Sequence, residues 1–387
     1  MSIFKRRFGV LGLLLALSLV AAACADDEPA DTTTTTQAAT TTTAAATTTA
    51  ATTTTTLPPA PAGREIKACQ VSDTGGIDDK SFNETAWVGA QAAEAELEGV
   101  TEVKFLESQQ TADFRPNIDS FIAEGCDLIV TVGFLLADDT ASAAADNPDQ
   151  RFAIIDYPSF IPPFTADDGT GGENVRGLNF NTDEAAFLAG YLAAGATQTG
   201  IIGTFGGINI PPVTIFMDGL VRGVDYYNAE NGTSVQVLGW DPETAEGLFT
   251  GNFESTEDGR SFGVSLMDQG ADIILPVAGP VGLGTAAAAA ERDGIWIIGV
   301  DSEWTDSAPE FADIILTSIR KRMDNAVFAT ISNVLVLDSL GNEYFGTLAN
   351  DGVGLGVINS AIPQALLDEV DGVRTGIING LISVTGG

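Results

Sequence analysis

From Glu65 onward, short β-branched runs alternate with amphipathic stretches, the pattern that βαβ units on a parallel sheet produce. The runs fall into two sets. "IKACQVS" (66–72), "TEVKFLE" (101–107), "DLIVTVG" (127–133) and "RFAIIDY" (151–157) form the first; "GIIGTF" (200–205), "SVQVLGW" (234–240), "DIILPVAG" (272–279) and "GIWIIGVD" (294–301) form the second. Two such sets predict two doubly wound, parallel-sheet α/β lobes, with the strand-like "VRGLNFN" marking where the chain leaves the first lobe near residue 178. Beyond Asp301, residues 312–337 supply another strand and helix, 344–359 another strand, and 363–382 a closing helix. The expected division is 64–177 with 313–340 for the N-terminal lobe and 178–312 with 341–387 for the C-terminal lobe.

The turn after the first strand, "DTGGIDDKSFNETAW" (73–87), carries the densest chemistry. Ser81 with Glu84 reads as a capping box, and Phe82, Ala86, Ala90, Ala93 and Leu97 then share one helical face. Because this helix follows a strand, its N-terminus lies at the carboxyl edge of the sheet, where open α/β folds bind ligands. Asp73, Asp156 and Asp301 share that placement: each terminates an apolar strand at its carboxyl end. Phe82 and Phe216 lie on apolar helical stripes, Phe216 with Val213, Leu220, Val224 and Tyr227, and by pattern alone they are core residues. Trp87, Trp240 and Trp304 read as packing residues, and Lys321, inside "RKR", reads as a helix-capping or solvated cation.

The first residues add a destination. "MSIFKRR" is a short basic start and "FGVLGLLLALSLVAAA" a 16-residue apolar run ending at Cys24, too short to span a bilayer and preceded by small residues as in a bacterial lipobox. Residues 1–23 are therefore expected to be a lipoprotein signal peptide and Cys24 a lipidated terminus on the outer face of a bacterial cell membrane; ordinary cleavage is the competing reading, since Ala21 stands where a lipobox prefers leucine. Residues 24–63 follow as a disordered tether rich in threonine and alanine. In an exported chain the two remaining cysteines, Cys69 in the first strand and Cys126 just before the third, are placed to pair if the sheet order is 2-1-3, the alternative being two buried thiols.

Composition narrows the chemistry. A net charge of −36 argues against nucleic-acid partners. With no histidine in 387 residues, Ser-His-Asp and Cys-His systems are excluded, and the cysteines needed for a zinc site are missing. Asp78 and Asp79 are adjacent carboxylates on a turn, expected to point apart into water rather than to form a glycosidase pair. "GLGTAA" (282–287) is a weak dinucleotide fingerprint, late in a chain with an export signal where nicotinamide cofactors are not expected, and the same glycine loop serves a plain binding site. The chain is thus expected to be no enzyme and to carry no cofactor or metal.

Taken together, "DTGGIDDKSFN", "VGFLLADDTASAAADNPDQRFAIID", "EAAFLAGYLA", "GGINIPPVTIFMDGLVRG", "IGVDSEW" and "LTSIRKRMD" resemble the basic membrane protein family, lipoprotein receptors of ABC importers that include purine nucleoside receptors. The resemblance spans residues 65–356. It implies a type I periplasmic-binding-protein fold with three crossovers, closing on a nucleoside held between Phe82 and Phe216. The family's polar contacts would fall on Asp73, Asn83, Asp156, Gly279, Asp301 and Lys321. The implied protein is a monomeric, membrane-anchored receptor that hands its ligand to permease subunits. A receptor for another flat metabolite such as riboflavin, a ligand-sensing signalling receptor and a glycosidic-bond hydrolase are the alternatives.

Overall fold

The computed structural model describes Pro58 and residues 60–385 except 167, 168 and 170; the signal segment, Cys24 and most of the tether lie outside the described residues. The first run, β1 (Ile66–Ser72), is buried on both faces except at Lys67, which is why it shows no apolar-polar alternation. It is followed by α1 (Phe82–Glu96), β2 (Val100–Leu106), α2 (Phe114–Glu124), β3 (Leu128–Val132), α3 (Ala137–Asp146), β4 (Arg151–Ile155) and β5 (Val175–Phe180). The second half runs α4 (Thr182–Ala196), β6 (Ile201–Gly206), α5 (Pro211–Asn231), β7 (Gln236–Leu238), β8 (Trp240–Asp241), β9 (Glu246–Gly247), α6 (Thr256–Asp268), β10 (Ile273–Val277), α7 (Val281–Ala289), β11 (Trp296–Asp301), α8 (Trp304–Ser307) and β12 (Ile315–Lys321). The chain closes with α9 (Met323–Leu337), β13 (Tyr344–Gly346), β14 (Val353–Leu355) and α10 (Gln364–Ile378).

The strands form two six-stranded sheets, ordered β2-β1-β3-β4-β5-β13 and β7-β6-β10-β11-β12-β14. The orders are equivalent strand for strand, and only the last strand differs in sense: β13 is parallel to β5, whereas β14 is antiparallel to β12. The chain therefore passes between lobes three times, at Asn181, at Arg322 and between Gly346 and Val353.

Three expected boundaries shift. β5 lies wholly in the first sheet, past the expected exit at 178. β12 pairs with β11 in the second sheet, although 313–340 was expected in the first lobe; only the helix that follows it, α9, returns to pack on α1. β13 stands in the first sheet, although 341–387 was expected in the second lobe. Its placement is decided by Glu343, whose carboxylate accepts from Ser159 N (3.0 Å), Ser159 Oγ (2.7 Å), Gly177 N (3.1 Å) and Asn179 Nδ2 (2.7 Å). Four donors on one half-buried carboxylate fix a three-residue strand that has too little apolar surface to choose a sheet by itself.

The expected strand 234–240 also ends early, at Leu238. At Gly239 the φ is +95°, and a Cβ there would stand 1.9 Å from Thr204 O, so only glycine lets the chain turn away. The β8–β9 ribbon results, and residues 248–251 then run beside Gly206 and Gly207 at the carboxyl end of β6. The dinucleotide fingerprint dissolves into helix: Gly282 and Gly284 lie inside α7. A Cβ on Gly284 would come within 1.8 Å of Thr256 O, so that glycine serves the close packing of α7 on α6 and not a phosphate. Cys69 and Cys126, both buried, are joined as a disulfide with Cα atoms 6.1 Å apart, tying β1 to the residue that leads into β3.

Candidate functional site

The carboxyl ends of β1, β3, β4, β10, β11 and β12 converge on one interlobe cleft holding about 580 Å³ of empty space, its mouth included, within the size range of small-molecule sites. The first lobe contributes Asp73 after β1, Phe82 and Asn83 from the first turn of α1, and Asp156 after β4. The second contributes Phe216 from α5, Gly279 after β10, Asp301 at the end of β11 and Lys321 at the end of β12. Thus all eight residues proposed from the sequence to touch ligand line a single cavity, the two phenylalanines from opposite lobes.

The capping box expected at Ser81 and Glu84 does not form. Asp79 takes its place, accepting from the backbone N–H groups of Ser81 (2.9 Å), Asn83 (2.9 Å) and Glu84 (3.1 Å). A carboxylate in that position also complements the positive end of the helix dipole. Contrary to the expectation for the Asp78–Asp79 pair, Asp79 is buried and lines the cavity. Ser81 is thereby released: its Oγ donates to Asp301 Oδ2 of the other lobe at 2.9 Å. Asn83 Nδ2 donates to Asp73 Oδ1 at 3.0 Å, while Asn83 Oδ1 is buried with no partner among the described residues and is free to accept from a ligand. Asp73 in turn lies so close to Gly133 that a Cβ there would stand 2.5 Å from Asp73 Oδ2, which accounts for a glycine at the end of β3.

Lys321 is not the solvated cation its "RKR" context suggests. It is 2 % exposed, ion-paired with Asp156 across the cleft, and its ammonium lies 4.9 Å from the Phe82 ring centroid and 5.3 Å from that of Phe180. Strand alternation explains this: β12 turns Lys321 inward while Arg320 and Arg322 face another crevice. Four carboxylates, Asp73, Asp79, Asp156 and Asp301, line the cavity with this ammonium. Burial pushes Asp73 well above the usual carboxylate range, with the Asn83 hydrogen bond pulling back. Burial likewise raises Asp79 to about 7 against its backbone donors, and Asp301 to about 6 against the pull of Lys321 and Ser81. Asp156 is raised by burial despite its ion pair. Asp156 and Asp301 hold left-handed backbone conformations, φ +69° and +65°, which non-glycine residues keep only where surrounding structure enforces them.

Several cavity residues carried no usable sequence signal. Phe134 follows β3 and stacks on Tyr157, centroids 5.0 Å apart. Phe253 reaches the cleft because the chain after β9 folds back over Gly207, where a Cβ would stand 2.3 Å from its ring. Asp79 was legible as a turn carboxylate but not as a buried one. Trp304 and Trp240 pack as expected, their indoles donating to Val300 O and Asp218 Oδ1. Among the described residues no group of three or more His, Cys, Asp or Glu is placed to hold a metal ion. The lining offers flat apolar walls with acceptors at the strand ends, an arrangement suited to holding a small molecule.

Two sheets of matched order, three chain crossings and a cleft between facing strand ends define a solute-binding protein of the type I fold. A solute-binding protein of an ABC transporter system from Aeropyrum pernix K1 superposes with a TM-score of 0.70, 28% identical, covering 82% of this chain and 92% of its own. The chain belongs to the Bmp family, described as ABC transporter substrate-binding protein PnrA-like, which it matches over residues 66–386. It is 29% identical over 340 residues to an ABC transporter nucleoside-binding protein, BmpA, of Lactococcus lactis, spanning 83% of this chain and 89% of that one. It is 33% identical over 301 residues, 76% of this chain and 70% of the other, to an uncharacterized lipoprotein of Pyrococcus furiosus. The protein is therefore an ABC transporter substrate-binding protein, as the resemblance implied.

Proposed function

We propose that this receptor captures a nucleoside, of the purine class, and delivers it to its permease without covalent change. The observation that carries the reading is the pairing of Phe82 and Phe216, one from each lobe, on a cavity whose polar lining includes carboxylates at strand ends. Two aromatic faces supplied by opposite lobes suit a flat heterocycle, because closing the lobes completes a stack on both sides. The acceptors suit a ligand rich in hydroxyl and amino donors: in this reading Asp301 receives a sugar hydroxyl, and Asp73 with Asn83 meets the base. A relative named for nucleoside binding supports the same ligand class. The protein acts outside the cell, held to the membrane by lipid on Cys24, consistent with the lipoprotein name of a second relative.

Calorimetric titration with guanosine and guanine tests this. Phe82→Ala and Phe216→Ala should weaken both ligands alike, each by about 1 to 3 kcal/mol, since stacking does not depend on the sugar. Asp301→Ala should cost guanosine about ten-fold or more beyond what it costs guanine, because charge-assisted bonds to ribose vanish only for the nucleoside. Equal losses for the two ligands at Asp301, or none at either phenylalanine, would sink the assignment.

A further inference from the structure

The lobes are joined covalently at the three crossings and by the Lys321–Asp156 ion pair inside the cavity, and a separate set of polar contacts bridges them beside it. Two dipeptides make it: Lys80-Ser81, which leads into α1 of the first lobe, and Asp301-Ser302, which ends β11 of the second. Ser81 Oγ donates to Asp301 Oδ2 (2.9 Å) and lies 3.3 Å from Val300 O. In the reverse direction Ser302 Oγ donates to Lys80 O at 2.7 Å, and lies 3.0 Å from Ser307 Oγ. Lys80 Nζ pairs with Glu310 Oε1 at 3.3 Å, an exposed contact that adds little. Lys80 and Asp301 both hold left-handed backbone, φ +58° and +65°, although neither is glycine. Such conformations are retained where the surroundings over-determine them, and here each presents a hydrogen-bonding group to the opposite lobe.

We propose that this reciprocal pair of serine bonds is the clasp that holds the cleft shut, and that Ser302 sets how long a captured ligand stays. Asp301 serves both the cavity and the clasp, which couples occupancy to closure. Ser302 faces the crevice outside the cavity and does not itself line the ligand site, so it is a positioning residue. A contact present only when the lobes are together slows their separation without altering the encounter of ligand with the open form. The inference rests on lobe closure in a solute receptor and not on which solute is bound.

The test uses spin labels on Asp149→Cys and Asp293→Cys, exposed positions preceding β4 and β11 at the edges of the two sheets remote from the cleft. Distance distributions are measured in ligand-free protein for the parent, Ser302→Ala and Ser302→Thr. Alanine should enlarge the open population about five-fold, the weight of one neutral hydrogen bond, and threonine should restore the parent distribution. An unchanged distribution in the alanine variant, or a change that threonine does not reverse, overturns the clasp. Stopped-flow with guanosine as probe should then show dissociation from Ser302→Ala about five-fold faster at an unaltered association rate. Failure of the parent to bind guanosine would overturn the nucleoside reading alone, because the spin-label comparison needs no ligand.

Discussion

Raising the pH from 5 to 8 should destabilise the ligand-free protein, the reverse of the usual acid lability. Asp79 and Asp301 are buried, and burial raises their carboxyls from 3.8 to about 7 and about 6. Between those values the folded state holds protons that the unfolded chain has released, so stability falls as pH rises. The loss begins above the unfolded value and is complete above the folded ones. At about 1.4 kcal/mol per unit, Asp79 contributes a loss of about 2 kcal/mol between pH 5 and 7, and Asp301 about 1 kcal/mol between pH 5 and 6. The raised Asp73 and Asp156 act in the same direction. Urea unfolding at pH 5, 6, 7 and 8, extrapolated to water, measures the slope. Asp79→Asn isolates its origin, because the amide oxygen can still accept from the N-terminal N–H groups of α1 while the titration is gone. The variant should show a shallower pH dependence than the parent between 6 and 7.5. A parent whose stability is flat or rises over this range, or an Asp79→Asn slope equal to the parent's, would refute the reasoning.

Two further outcomes are expected. Gly223→Ala should destabilise, although helix propensity alone favours it by about 1 kcal/mol: a Cβ on Gly223 would stand 2.0 Å from Phe187 O, so α5 must move off α4 at a cost of about 1 to 3 kcal/mol, and a raised urea midpoint would contradict this. Cys24→Ser should release the exported protein from membranes in a fractionation experiment, and retention after a salt wash would count against the lipid anchor.

The local code of the chain determined most of the elements and the chemistry of the cleft. Continuous apolar runs mark strands buried on both faces, and a carboxylate at the end of such a run is bound for the ligand edge; Asp73, Asp156 and Asp301 were legible on that ground alone. What a periodic pattern encodes is burial, not the partner. Phe216 therefore read as core, and only the closing of two lobes makes it one wall of a cavity, while Lys321 read as solvated until strand alternation in β12 turned it inward. Which sheet takes β12, and which takes β13, was likewise decided by contacts distant in sequence: Ile297 beside Ile315 for the one, and Glu343 with its four donors for the other. Asp79, Phe134 and Phe253 entered the site through turns whose paths depend on close approaches at glycines and on a helix N-terminus, none of which has a periodicity to read. The Ser81–Asp301 and Ser302–Lys80 bonds join residues more than 200 positions apart. They exist only because the two lobes meet.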